Sequence, residues 1–292
     1  MPTQRKIYIL RFYDEPMVRF TVVPESTSLG PIERIQDIQL LSADRRLFPV
    51  TLSHDLTPEI FHTWIKKRII PPNRTHVDSI LNSAGISHNL ISTFLNISLA
   101  LSLNDSFWIT PEGFTGSFAE FNLYKNQPDK NLSSLAFTGT SSSASRDTHS
   151  FPGCPKKISL QLTTGGILAK AWRRRKDGKI HLHKAGSTGA CTLPDRRSTR
   201  NAGAGLEPYS EFYVSKLAQY MGLNAVDYDL RRWKGILASV CELFTDIDTA
   251  YVPVGHIVRD GGIKACVDYY DSLGESFGQS IRNMLVFDAL VC

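Results

Sequence analysis

The sequence has no long apolar run. Nothing in its 292 residues approaches the roughly 18 apolar residues that a bilayer-spanning helix needs, so no membrane segment is expected. The stretch from Met1 to Phe12 lacks a sustained apolar core followed by a small-residue cleavage site, so no signal peptide is expected either. Cysteine is scarce and unpaired in pattern. The five cysteines (Cys154, Cys191, Cys241, Cys266, Cys292) are odd in number, widely spaced and free of any C-x-x-C spacing. That argues against a disulfide framework or a cysteine-zinc site and points to a reducing, cytoplasmic compartment. None of the eight histidines falls in a recognisable nucleophile motif. His181 and His183 could share one face of a strand and touch a metal, but no third ligand lies near them in sequence, and zinc sites need three or four. No internal repeat is present.

What the chain does have is an ordinary globular composition. Apolar residues make up 42% and charged residues 21%, which excludes the disordered and fibrous classes. The net charge of +5 concentrates in Arg173-Arg174-Arg175-Lys176, Arg196-Arg197 and Arg231-Arg232. Such clusters fit phosphate-bearing ligands and equally fit a solvated surface. Binding nucleic acid through them would show as steep salt dependence, but nucleic acid is not the expected partner.

The length allows two compact units. Residues 1–125 read as a β-plus-helical module. Lys6–Phe12 and Val18–Val23 are rich in β-branched and aromatic residues, with a polar turn at Asp14-Glu15-Pro16. Three helices follow. The first has Thr57 as N-cap and Pro58 at its first position, the second is capped by Thr75 and stops at Gly85, and the third is capped by Ser87. Residues 126–157 turn rich in Ser, Thr, Gly and Ala, which predicts a flexible linker. Residues 158–292 begin as β-structure. Strands are expected at Ile158–Leu162, Ile167–Arg174 and Lys179–Lys184, with Thr163-Thr164-Gly165-Gly166 and Asp177-Gly178 as turns. After a Gly- and Arg-rich loop, a helix from about Pro208 to Met221 precedes a hairpin of Val226–Leu230 and Ile236–Leu243. The end of the chain reads as helical.

Side chains alternate along a strand, so Ile180, Leu182 and Lys184 share a face opposite His181 and His183. Lys184 thus ends an apolar row, where an ammonium needs a carboxylate or phosphate partner. The following helix offers Glu211 on the face of Val214, Ser215, Ala218 and Gly222, residues small enough to pack closely on a sheet. A strand lysine paired to a helix glutamate is how protein kinases hold the α- and β-phosphates of ATP. The alternative is that Lys184 snorkels outward and Glu211 is solvated. Gly165 and Gly166 could let backbone N–H groups approach phosphates, or could simply form a hairpin turn. The apolar run Ser239–Phe244 leads into a polar segment, as a strand entering an inter-lobe connector would.

Several of these segments resemble HipA-like serine/threonine kinases. They are Leu162-Thr163-Thr164-Gly165-Gly166 leading to Lys170-Ala171-Trp172-Arg173-Arg174, Ile180-His181-Leu182-His183-Lys184-Ala185-Gly186, Glu207-Pro208-Tyr209-Ser210-Glu211-Phe212-Tyr213, Cys241-Glu242-Leu243-Phe244-Thr245 and Met284–Cys292. The resemblance covers most of the chain and is densest between about residues 158 and 292. It implies an α+β fold: a protein-kinase-like N-lobe of antiparallel sheet plus one helix, then the start of a helical C-lobe. It also implies that Lys184 orients the ATP phosphates, that Glu211 holds Lys184, and that Glu242, Leu243 and Phe244 form the adenine hinge. ATP and Mg2+ are the implied cofactors, and a Ser/Thr-bearing protein substrate and an antitoxin-like regulator the implied partners. The family's catalytic aspartate and its metal ligands would be expected beyond Cys292. On this reading the chain is a fragment that stops before the catalytic loop and is inactive as it stands. The competing reading is a non-catalytic, pseudokinase-like interaction module.

Overall fold

A computed structural model describes residues 5–28, 30–86, 90–126, 128–140, 160–187, 205–258 and 262–272. Among these residues the chain is α+β, built on two four-stranded antiparallel sheets. The first comprises β1 (Lys6–Phe12), β2 (Glu15–Thr27), β3 (Gly30–Leu40) and β4 (Phe107–Pro111), in the order β3-β2-β1-β4. Between its third and fourth strands lie α1 (Val50–Ser53), α2 (Pro58–Lys66), α3 (Val77–Ser83) and α4 (Ile91–Ser98). Two helices, α5 (Phe118–Phe121) and α6 (Lys130–Thr138), then lead to the second sheet. That sheet contains β5 (Lys170–Arg174), β6 (Ile180–Ala185), β7 (Tyr228–Trp233) and β8 (Ile236–Glu242) in the order β5-β6-β8-β7, with α7 (Glu207–Tyr220) between β6 and β7. The described part ends with α8 (Val254–Val258) and α9 (Gly262–Ser272).

The local chemistry explains most of these elements. In β1, Tyr8 and Leu10 alternate into the core and pair with β2, whose Met17, Val18, Phe20 and Val22 are also buried. The helix α2 begins where its cap chemistry dictates: the Thr57 hydroxyl accepts from the Ile60 N–H and Pro58 occupies the first turn. Its Phe61, Trp64 and Ile65 pack into the first sheet's core. The hairpin between β5 and β6 turns at Gly178, whose φ of +84° is the left-handed conformation that the Asp-Gly pair predicts. Small residues seat α7 on the second sheet. Ser215 and Ala218 are buried, and the Ser215 hydroxyl donates to the Val226 carbonyl at 2.7 Å while accepting from the Tyr228 N–H at 3.1 Å.

Four expectations are corrected. The strand expected at Ile158–Leu162 is, in its described part, a 3-10 turn at Leu160–Leu162. Backbone partners from the helical module replace a strand neighbour there. The Ile70 N–H donates to the Leu162 carbonyl at 2.8 Å, and Leu162 buries in the first core. The exposed edge of β5 is covered by side chains instead: Ser133 and Gln161 bond the Trp172 carbonyl, and Arg74 bonds that of Lys170. Second, residues 130–138 of the expected flexible linker form α6, capped by the Asp129 carboxylate on the N–H groups of Asn131 and Leu132. Phe137 anchors it, 1% exposed, against Ala169, Ala171, Ala238 and Val240 of the second sheet. The rest of that linker, 141–157, lies outside the described residues. Third, Thr75 does not cap α3. Its N–H is drawn to the Ile167 carbonyl at 2.8 Å, and His76 takes the cap position with φ of +65°. Fourth, α4 begins at Ile91 after Leu90, and the expected cap Ser87 is outside the described residues. The expected C-terminal helix (281–290) and most of the Ala185–Leu206 loop are likewise outside them.

Candidate functional site

Strand register places three polar side chains in one cross-strand row. Lys170 of β5 lies opposite Lys184 of β6, which lies opposite Ser239 of β8. All three project from the same face, the one on which α7 lays Glu211. The Glu211 carboxylate bridges two of them: Oε1 accepts from the Lys184 ammonium and Oε2 from the Ser239 hydroxyl. Side-chain exposures of 25% for Lys184 and 22% for Glu211 put the pair at the lip of the sheet, neither in the core nor in bulk water. Burial pulls the Lys184 pKa below its ordinary value, with the Cys241 thiol and the Glu207 carboxylate opposing. The snorkelling alternative for Lys184 is therefore not what the chain adopts.

Gly165 and Gly166 lie in the bend that joins the 3-10 turn at Leu160–Leu162 to β5, not in a turn between two paired strands as expected, since among the described residues no strand precedes β5 there. The Gly166 φ is +86°, and a Cβ there would overlap the Lys170 ammonium, whereas a Cβ on Gly165 would meet nothing within 4 Å. The Lys170 ammonium donates to the Gly165 carbonyl at 2.8 Å. Arg74, only 2% exposed, clamps this segment from the N-terminal module. Its guanidinium donates to the carbonyls of Gln161 (3.2 Å), Thr164 (2.9 Å) and Lys170 (2.6 Å). Burial alone lowers the Arg74 pKa to about 10.

At the other end of the face, β8 runs into the expected connector. The Glu242 side chain turns to the opposite face and pairs with Lys179 at 2.8 Å, so only its backbone could serve a ligand on this side. The Leu243 N–H donates to the Ile180 carbonyl at 2.8 Å, and its side chain packs beside Trp108 of the module. Phe244 is exposed and meets the Tyr251 ring edge-on at 5.5 Å. The module holds this segment too. The Thr245 hydroxyl donates to the Leu103 carbonyl, the Tyr13 and Ser106 hydroxyls donate to the Ile247 carbonyl at 2.6 and 3.0 Å, and the Tyr251 N–H bonds the Asn104 carbonyl at 2.6 Å.

His181 and His183 share the opposite face, as alternation requires, but that face is closed. His183 lies 5.6 Å from the Trp233 ring, which itself contacts Phe137 at 4.7 Å and carries the Arg173 guanidinium at 4.1 Å. Burial, then Arg173 and His181, hold the His183 pKa down to about 4. Among the described residues no three or more His, Cys, Asp or Glu side chains gather as a metal site, and no helix is long and apolar enough to cross a membrane.

The structure thus brings Lys184, Glu211, Gly165 and Gly166 to one side of the second sheet, with the backbone of Glu242, Leu243 and Phe244 at its end. It adds Ser239, Lys170 and Arg74, to which the sequence reading gave no role. Ser239 carried a signal: a lone hydroxyl in the apolar strand ILASVCE, one strand over from Lys184. Arg74 carried none, since its partners lie 87 to 96 residues away. The segment Gly274-Glu275-Ser276-Phe277-Gly278 spells G-x-S-x-G and lies outside the described residues.

No protein-family model matches the sequence, and no curated protein matches it. Among solved structures, the chain is similar to HipA of Shewanella oneidensis MR-1, a toxin–antitoxin protein in a complex with HipB and its operator DNA. The two share 13% identity at a TM-score of 0.44, and the match covers 82% of this chain and 52% of that one. The chain spans about half the length of that protein.

Proposed function

We propose that this chain is the ATP-binding portion of a HipA-like serine/threonine protein kinase. The observation that carries the reading is the Lys184–Glu211 pair, set between a sheet strand and the helix packed on it, with Ser239 taking the second carboxylate oxygen. A carboxylate fixed at both oxygens cannot swing away, so the ammonium it holds is aimed at one place. This is the arrangement by which a kinase lysine meets the α- and β-phosphates of a nucleotide. The Gly165–Gly166 bend beside Lys170 and the Glu242–Phe244 backbone, farther along β8 from Ser239, fit a phosphate end and an adenine end. Among the described residues the Phe244 N–H has no hydrogen-bond partner, leaving a donor for a base edge. Mg2+ would enter with the nucleotide. The described residues offer no cluster of carboxylates to hold it, and none of them is assigned as catalytic base. The protein's transfer of phosphoryl groups to Ser or Thr of a protein substrate, and an antitoxin-like regulator as its partner, belong to the same proposal.

Isothermal titration with ATP tests it. Lys184→Met should weaken ATP binding about 10- to 100-fold, the worth of a charge-assisted contact to phosphate. Glu211→Gln should weaken it less. Equal affinity in wild type and Lys184→Met would remove the site assignment. A second reading, a non-catalytic interaction module, draws on the exposed aromatic stripe along α7, where Tyr209, Tyr213, Leu217 and Tyr220 recur at helical spacing and Tyr220 is 91% exposed. A chain that binds no ATP at all would favour it.

A further inference from the structure

The ion pair accounts for one of two ammonium groups in the row. Lys170 is the other, and it is 7% exposed. Among the described residues no carboxylate pairs with it. Its only hydrogen bond there is the one to the Gly165 carbonyl, so one of its three N–H donors is in use. Its charged neighbours are Arg74 and Lys184, both cations. A desolvated ammonium without a counter-charge is unfavourable, and nothing in the packing demands one: a methionine would fill the same stem. Yet its surroundings hold it in place. Gly166 leaves room for the ammonium that any side chain would take away, and Arg74 fixes the Lys170 carbonyl and the backbone before the turn. Lys184 has its carboxylates in Glu211 and Glu207, whereas Lys170, beside the glycine turn, faces only the cations Arg74 and Lys184, so the Lys170 end of the row carries surplus positive charge.

Deepening the nucleotide reading on which it rests, we propose that Lys170 is a second phosphate-binding ammonium of this site. It is positioned by the Gly165–Gly166 turn and by Arg74, and its ligand is the polyphosphate of a nucleoside triphosphate. Burial, then Arg74 and Lys184, lower the Lys170 pKa to about 8. A bound phosphate would raise it again, so binding above that pH should draw in a proton.

Titration calorimetry with ATP and with inorganic pyrophosphate, at pH 8.5 in two buffers of different ionisation enthalpy, reads both affinity and proton uptake. Wild type should take up a fraction of a proton. Lys170→Met should lose about 10- to 100-fold in affinity for both ligands and lose the uptake. Lys170→Arg, always charged, should keep part of the affinity without the uptake. Lys170→Met should melt no lower than wild type, since it removes an unpaired buried charge. ATP binding with unchanged affinity and uptake in Lys170→Met overturns the Lys170 assignment and leaves the Lys184 reading standing. Lys170-dependent pyrophosphate binding with no preference for ATP keeps Lys170 as a phosphate-binding ammonium and overturns the nucleoside triphosphate as its ligand. A wild-type chain that binds neither ligand overturns both.

Discussion

Replacing Arg74 with methionine removes the clamp between the N-terminal module and the glycine turn while keeping most of the side-chain volume. The magnitude has two opposing parts. Three carbonyls, at 2.6, 2.9 and 3.2 Å from the guanidinium, lose a charged donor. At about 2 kcal/mol for each charge-assisted bond, that is about 6 kcal/mol of lost interaction. Against it stands the relief of burying the cation. A pKa lowered from 12.5 to about 10 corresponds to about 3 kcal/mol. The net expectation is a destabilisation of about 3 kcal/mol, or a fall in melting temperature of roughly 6–12 °C for a chain of this size. Differential scanning calorimetry measures the global effect. Hydrogen exchange locates it: the Ile70 and Thr75 amides, which bond the carbonyls of Leu162 and Ile167, should lose protection first. If Arg74→Met melts within about 1 °C of wild type with both amides still protected, the clamp does not hold the two parts together.

Two further outcomes follow from the second sheet's closed face. Phe137→Ala should cost about 3–4 kcal/mol, since a fully buried phenyl between α6 and the sheet leaves a cavity; a chemical-denaturation midpoint unchanged from wild type would show that α6 is not seated there. His183 titrates near 4 in the folded chain and near 6.5 unfolded, so the neutral ring's contribution is complete above about pH 6.5 and is lost as pH falls through about 4. His183→Leu should flatten the loss of stability between those values, measured as urea midpoints at pH 7, 5.5 and 4.5; parallel profiles would place the acid sensitivity elsewhere.

What could be read from the sequence is what local pattern controls. Thr57-Pro58 starts α2 because cap and proline act within one turn. Asp177-Gly178 turns the hairpin because the glycine supplies the required φ. Lys184 and Glu211 could be paired on paper because strand alternation and helix spacing each fix a face. The strand β3 has no bounds in the sequence pattern because it scarcely has a buried row: of its eleven residues only Ile35 is buried, so no alternation marks it. The helix α6 was missed for the opposite reason. Its Ser133 and Ser134 look like linker residues, yet both are buried, and the Ser133 hydroxyl donates to the carbonyls of Asp129 and Trp172. Composition registers polarity but not whether a hydroxyl has found a partner.

The same distinction decides how the N-terminal module bears on the site. Nothing in its sequence concentrates titratable groups, and by itself it reads as packing. The structure shows it gripping the face at two places, the glycine bend through Arg74 and the segment after β8 through Tyr13, Ser106 and the Leu103 and Asn104 carbonyls. Each grip uses backbone carbonyls as acceptors on one side or the other, so it depends on where the chain passes more than on which residues it carries. A lysine–glutamate pair aims a charge only as well as the sheet and turn around it are fixed. Here that fixing comes from residues 87 to 234 positions away in the chain. The module and the second sheet therefore act as one structural unit around the row. A second sheet expressed without the module would keep Lys184, Glu211 and Lys170 in its sequence while losing the contacts that hold Gly165 and Ile247 in place.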